Sequence, residues 1–186
     1  MLADKRIIKT RSEIKNAFMQ LIIEKEPNKI SVSALTEKAQ VNRTTFYLHY
    51  RNIDDVILDI ESEISAHISA SISNLDFNDV YGSTCTVFSG LTDTLNENTA
   101  MRNYILNSTS SKSIISRLKE ILADKIKTAV IKKIPERTDR KTDYSLTFIA
   151  AGIIDTYVKW ANSEDKTVTL GELIETVSTL IQKTVI

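Results

Sequence analysis

The chain has 186 residues, no net formal charge, 42% hydrophobic and 26% charged side chains, the profile of an ordinary soluble globular protein long enough to bury a core. Only four glycines and two prolines interrupt it, too few for a fold rich in turns and hairpins, so long helices are expected. The single cysteine, Cys85, excludes an internal disulfide and predicts a reducing cytoplasm. The first residues, Met-Leu-Ala-Asp-Lys-Arg, lack the apolar core of a signal peptide. The apolar run from Phe148 to Ile154 is far below the roughly 20 residues that span a bilayer, which predicts a protein without a membrane partner.

In chain order, Thr10-Arg-Ser-Glu13 has the spacing of a capping box, with Thr10 able to cap and Glu13 to reciprocate. Ile14, Ala17, Phe18, Leu21 and Ile22 then recur at helical spacing, and Pro27 and Asn28 end that helix. A backward extension to Asp4 is compatible with the pattern. Ser31 can cap a second, short helix whose inward residues are Leu35 and Ala39. Gln40 and Val41 make a turn, and Asn42 can cap a third helix.

From Ile53 the stripe Val56, Ile57, Ile60, Ile64, Ile68 and Ile72 runs without a breaker to near Asn74. A fifth helix is expected between Asn78 and Asn96, and a sixth from Thr99 to Asn107. A Ser/Thr-rich connector, 108–111, precedes a seventh helix from Lys112 to Ile134, closed by Pro135. The polar stretch Glu136 to Lys141 is the expected flexible loop. An eighth helix, apolar on several faces, runs from about Asp143 to Ala161, and Thr169-Leu-Gly-Glu172 offers a capping box for a ninth, ending near Lys183. The predicted fold is all-α with about nine helices.

Catalytic and metal chemistry is thin. His49 and His67 are too far apart for a helical metal pair, and no Cys/His cluster with zinc spacing exists. Phosphate-binding glycine loops and a nucleophile elbow are both lacking. Cys85 has no Lys, Arg or His beside it in Ser83-Thr-Cys-Thr-Val, so a packed, inert thiol is expected. Neither an enzyme nor a cofactor or metal protein is predicted.

Residues 31–51 read differently. Residues 1–55 hold ten Lys and Arg against seven Asp and Glu, and the remainder fourteen against seventeen, a modestly basic head on a mildly acidic body. Two short helices joined by a tight turn have the layout of a helix-turn-helix, whose second helix enters the DNA major groove. Arg43, in the first turn of that helix, can take a guanine's O6 and N7 as a bidentate pair. Thr44 offers a hydroxyl and a methyl able to meet a thymine methyl. Thr45, Tyr47 and His49 are donors for phosphate or sugar oxygens. Leu35, Ala39, Val41, Phe46 and Tyr50 supply a small core that fixes the two helices.

Those residues carry a resemblance. Residues 10–60 are similar to the tetracycline-repressor (TetR) family of bacterial regulators through Ile14, Ala17-Phe18, Val32-x-x-Leu35, Ala39-Gln-Val41, Thr45-Phe-Tyr-Leu-His-Tyr50 and Asp54-Asp55. The resemblance implies a helix-turn-helix domain at 1–52 and a helical regulatory and dimerisation domain at 53–186. It implies a homodimer that binds a palindromic double-stranded DNA operator and usually represses. Within it, Arg43, Thr44 and Tyr47 are expected base readers and Ser31, Thr45 and His49 phosphate contacts, while Ser33 approaches a base or phosphate from helix two.

Two positions depart from the family pattern. Gln40 stands where the turn usually carries glycine, and Ile53 replaces a phosphate-gripping lysine, leaving Arg51 as the candidate to take over that grip. Phe148 to Trp160, with Leu170 to Ile181, looks like the C-terminal region of part of the family. There the last two helices pair with their copies, which implies dimerisation through 143–161 and 169–183. Small Ala150, Ala151 and Gly152 suit such close approach; a buried central helix is the competing reading.

The family implies a small-molecule effector in a pocket among helices four to eight, with Phe88, Met101, Tyr104, Tyr157 and Trp160 as candidates. Each is also an ordinary core residue type. Ligand-driven tilting of helix four would change the spacing of two reading heads that must sit roughly 34–36 Å apart. The alternative function is a helical adaptor that keeps the fold without binding DNA, compatible with Ile53 and the zero net charge.

Overall fold

A computed structural model describes residues 2–72, 75–76, 78–97, 99–107, 111–165 and 167–185, and every regular element among them is helical. The order is α1 (Leu2–Leu21), a 3₁₀ turn (Pro27–Lys29), α2 (Val32–Lys38), α3 (Arg43–His49), α4 (Ile53–Ser71), α5 (Val80–Glu97), α6 (Thr99–Asn107), α7 (Lys112–Lys133), α8 (Arg140–Asn162) and α9 (Leu170–Val185). The expected Asn74 end of the fourth helix and residues 108–110 of the connector lie outside the described residues. Among the described residues no helix is long and apolar enough to cross a membrane.

Short polar side chains set most of the helix starts. Ser31 Oγ accepts from the Ala34 amide at 3.2 Å, Asn42 Oδ1 from Thr45 at 2.6 Å and Asn52 Oδ1 from Asp55 at 2.9 Å, each satisfying an amide with no partner inside its helix. At α9 the expected capping box forms in both directions. The Glu172 amide donates to Thr169 Oγ1 at 3.2 Å, and the Thr169 amide returns to Glu172 Oε2 at 2.8 Å. At α5, Asp79 Oδ1 caps the Gly82 amide at 2.8 Å. A Cβ at Gly82 would lie 2.1 Å from Asp79 Oδ2, so glycine makes room for the cap.

Three boundaries differ from expectation. α1 starts at Leu2, so Thr10 and Glu13 lie inside the helix and form no capping box. Residues 2–9 hold good helix formers and no Gly or Pro, so nothing stops the helix from extending. The same helix ends at Leu21, short of Pro27; the chain then turns, and Pro27 is the buried first residue of the 3₁₀ turn. α8 begins at Arg140 because Asp139 Oδ1 accepts the Thr142 amide at 2.9 Å, which shortens the expected loop. That amide also holds the Asp139 carboxyl below its ordinary range.

One buried apolar set runs through the molecule, from Ile14 and Phe18 of α1 and Phe46 of α3 through the α4 stripe Val56, Ile60, Ile64 and Ile68 to Ile72 at its C-cap. It continues into α7 and α8 through Ile114, Leu118, Leu122, Leu146, Ile149 and Ile153. α4 also carries two buried polar groups. Glu61, 3% exposed, takes the Tyr104 hydroxyl of α6 at 2.9 Å and the Ser113 hydroxyl of α7 at 2.6 Å, both on Oε1. One turn on, the buried Ser65 hydroxyl has no hydrogen-bond partner among the described residues. α8 is buried on the face that meets α7. It exposes Tyr144 and Phe148 elsewhere, and a Cβ at Gly152 would meet nothing within 4 Å.

Candidate nucleic-acid interface

The turn between α2 and α3 closes by two backbone bonds. The Gln40 amide donates to Glu37 O at 3.1 Å and the Val41 amide to Thr36 O at 3.0 Å, the Schellman pattern in which the residue after the helix cap takes a left-handed conformation. Gln40 has φ 55°, and it is the one non-glycine residue with positive φ among the described residues. Glycine adopts this conformation without strain, whereas glutamine costs about 1–2 kcal/mol. The turn is therefore formed by hydrogen bonding and packing rather than by the preference of its residue. Val41 and Ala39 pack against the core behind it.

The seven residues of α3 sort by face. Phe46 is buried, and Tyr50 just beyond the helix is also buried. Phe46 meets both tyrosine rings, with centroids 5.4 Å from Tyr47 and 5.9 Å from Tyr50. Arg43, Thr44 and Tyr47 are exposed, and helical spacing puts Arg43 and Tyr47 one turn apart. Thr45 and His49 are half-buried on the flank. On α2, Ser31 is exposed and engaged in its cap, and Ser33 is exposed with its carbonyl accepting the Thr36 hydroxyl at 3.1 Å. The fold thus leaves Arg43, Thr44 and Tyr47 on the outward side of α3, with Thr45 and His49 at its flank.

Arg51 and Ile53 sit where α3 passes into α4. Ile53 packs its side chain against the core, so this position serves packing and presents no charge. Arg51 is exposed, and its backbone amide donates to Asp55 Oδ2 at 2.9 Å. Asp55 in turn gives its own amide to Asn52, so residues 51–55 are held from both directions.

Sequence reasoning missed the polar anchor behind α3. The Tyr50 hydroxyl donates to Asp59 Oδ2 at 2.7 Å, and Arg11 Nε donates to the Tyr50 oxygen at 3.3 Å. Asp59 also pairs with Arg11 Nη2 at 2.8 Å and Lys15 Nζ at 3.2 Å, while Lys15 reaches Glu63 as well. The Arg11 guanidinium lies 5.3 Å from the Tyr50 ring centre, adding a cation–π contact. Burial alone would raise the Asp59 carboxyl, but the bonds from Tyr50, Arg11 and Lys15 outweigh it and hold the group below its ordinary range. Burial, and then the Asp59 acceptor, push the Tyr50 phenol upward. The only sequence signal was the charge on the inner side of α1.

The residues expected to line an effector pocket are dispersed. Phe88, Tyr157 and Trp160 form a row with centroid spacings of 5.3 and 5.9 Å. Tyr157 shares a 2.8 Å hydroxyl contact with Thr92, and the Trp160 indole N–H donates to Val168 O at 2.8 Å. Tyr104 lies apart, on Glu61. The Met101 side chain lies outside the described residues. An apolar cavity of about 80 Å³ opens between α5, α7, α8 and α9, walled by Val87, Leu122, Ile126, Leu146, Ile149 and Ile153. A second, of about 20 Å³ among α4–α8, is lined in part by Tyr157.

Comparisons with known proteins agree with this architecture. A TetR-type family model described as a transcriptional regulator C-terminal region matches residues 85–183. The chain is 30% identical over 79 residues to the uncharacterized HTH-type transcriptional regulator YxbF of Bacillus subtilis (strain 168), covering 40% of this chain and 21% of that protein. It thus spans about a fifth of the length of this curated relative. The fold is similar to a TetR transcriptional regulator from Streptococcus agalactiae 2603V, with TM-score 0.72 and 21% identity over 97% of this chain and 98% of that one. It is also similar to a TetR-family regulator from Syntrophomonas wolfei, with TM-score 0.67 and 21% identity over 94% of each chain. With its helix-turn-helix head joined to a matched C-terminal region, the chain belongs to the TetR family of transcriptional regulators.

Proposed function

We propose that this regulator is a cytoplasmic homodimer without enzymatic activity that binds a palindromic double-stranded DNA operator, represses from it, and is released by a small-molecule effector. The observation that carries DNA binding is the sorting of α3. Arg43, Thr44 and Tyr47 stand exposed on a helix whose other side, Phe46 and Tyr50, is locked into the core. A rigid helix with a bidentate donor in its first turn has what a major-groove reader requires.

In this proposal residues 1–52 form the reading head and 53–186 the regulatory and dimerisation body. Arg43, Thr44 and Tyr47 contact bases. Ser31, Thr45, His49 and Arg51 contact phosphates, with Ser33 near either. Dimerisation runs through α8 and α9, supported by exposed Tyr144 and Phe148 and by the open space at Gly152. Two heads would then be carried on the N-terminal ends of the α4 helices, where Asp59 ties each head to its lever. An effector held in the body, near Phe88, Tyr157 and Trp160 or in the neighbouring cavity, would act by tilting α4 and changing the head spacing.

Fluorescence anisotropy on DNA from upstream of the protein's own gene, against scrambled DNA and across a salt series, tests the DNA reading. Tight binding to one sequence is expected, weakening linearly in log salt. Arg43→Ala and Tyr47→Ala should each weaken it, Arg43→Ala by about 1–3 kcal/mol with relaxed specificity at one base, while Arg51→Ala lowers the salt slope by about one. Equal, salt-independent behaviour on every DNA, including sequences selected from a random pool, would favour the adaptor.

A further inference from the structure

Leu48 is 78% exposed, more than any other large apolar side chain among the described residues. Single exposed leucines are common and by themselves mean little. The position of this one is informative. Helical spacing sorts the outward side of α3 into two rows, Arg43 with Tyr47 and Thr44 with Leu48, each pair one turn apart. A helical side chain leans toward the N-terminus of its helix, so Leu48 covers the turn that carries the Thr44 methyl. The reading side therefore has a polar row and, next to it, an apolar one.

We infer that Leu48 is a specificity-determining residue that reads thymine, its side chain meeting the 5-methyl group in the major groove. This rests on the DNA-binding function proposed above. Thymine is the one base that offers an apolar group there; the other base edges present donors and acceptors. Leucine set against an adenine, cytosine or guanine edge would strip those groups of water and return no hydrogen bond, so the same side chain favours thymine and penalises its competitors. A phosphate is excluded on the same ground, since leucine has no donor to give it. With Arg43 beside it, the half-site should combine a guanine with one or more thymines.

The test uses the full chain on an operator selected from random DNA, with each thymine of one half-site replaced in turn by deoxyuridine, which removes the methyl and keeps every hydrogen-bonding group. At one thymine the wild-type protein should bind about fourfold more weakly, the equivalent of about 0.8 kcal/mol for one methyl-sized contact. Leu48→Ala should bind thymine and deoxyuridine equally at that position, and Leu48→Met should restore the preference. Because Leu48 is exposed, both variants should keep the wild-type melting temperature. No deoxyuridine-sensitive thymine, or a preference that survives Leu48→Ala and disappears with Thr44→Ser, overturns the assignment while leaving DNA binding intact. Failure to select any operator overturns the DNA-binding reading beneath it.

Discussion

The Tyr50 hydroxyl donates to Asp59 Oδ2 at 2.7 Å, so the residue that closes α3 is bonded directly to the second turn of α4. Arg11 and Lys15 of α1 converge on the same carboxylate. α3, α1 and α4 therefore meet at one side chain. In the proposed mechanism a displacement of α4 would reach α3 through a short charge-assisted bond as well as through the hydrophobic contacts behind it.

Tyr50→Phe removes one donor from that carboxylate and should cost about 1.5 kcal/mol of stability. Asp59→Asn leaves Arg11 and Lys15 without their shared anion and should cost somewhat more. The double variant should be less destabilised than the sum of the two, with a coupling of about 0.5–3 kcal/mol by urea denaturation. Strict additivity would mean that the two groups do not work together.

Asp59 also sets a pH dependence. Its carboxyl titrates lower in the folded protein than in the unfolded chain, so its contribution is complete above the unfolded value and is lost as pH falls through the folded one. The stability gap between wild type and Asp59→Asn should be constant near neutrality and should shrink below about pH 4. Melting curves of both proteins from neutral to acid pH measure it, and a gap that widened in acid would contradict this account.

Gln40 holds a left-handed φ of 55° that the turn imposes on it. Gln40→Gly should relieve about 1–2 kcal/mol of strain and give back part of that in unfolded-chain entropy, for a net gain of roughly 0.5–1 kcal/mol. Gln40→Val should lose stability, because a β-branched residue tolerates this region least. Chemical denaturation of the pair fixes the sign of both changes.

Ser65 and Glu61 stand one turn apart on α4 with opposite hydrogen-bonding status. Ser65→Ala deletes a buried hydroxyl that has no partner among the described residues and should stabilise the protein by about 1 kcal/mol. Tyr104→Phe instead withdraws a donor from the buried Glu61 carboxyl group and should destabilise it by about 1–3 kcal/mol. Opposite shifts in melting temperature are expected from these two near-isosteric changes.

Phe148 is 71% exposed on α8, so Phe148→Glu should leave the monomer fold intact. In a two-fold dimer built on α8 and α9 it would bring a buried like-charge pair together across the axis. Self-association should weaken by about 2 kcal/mol or more, roughly thirtyfold, by analytical ultracentrifugation. An unchanged dimer would place the interface on another surface.

The elements that were legible in the sequence are those whose causes are local. Caps at Ser31, Asn42 and Thr169 act on amides three residues away, and the isoleucine stripe of α4 repeats along one helix; both therefore appear as short patterns. The all-α class and the faces of α3 followed from them. α1 starts ahead of its capping-box pattern because such a box is only an offer, and a chain of good helix formers before it declines the offer. Tertiary structure alone decided the polar anchors. Arg11 meets Tyr50 across 39 positions, and Glu61 meets Tyr104 and Ser113 across 43 and 52. No periodicity records such partners, because an isolated carboxylate reads as a solvated surface charge until packing removes the water around it. The same holds for Leu48, Tyr144 and Phe148. Their residue types suggest core, and only the assembled fold shows that the core closed without them.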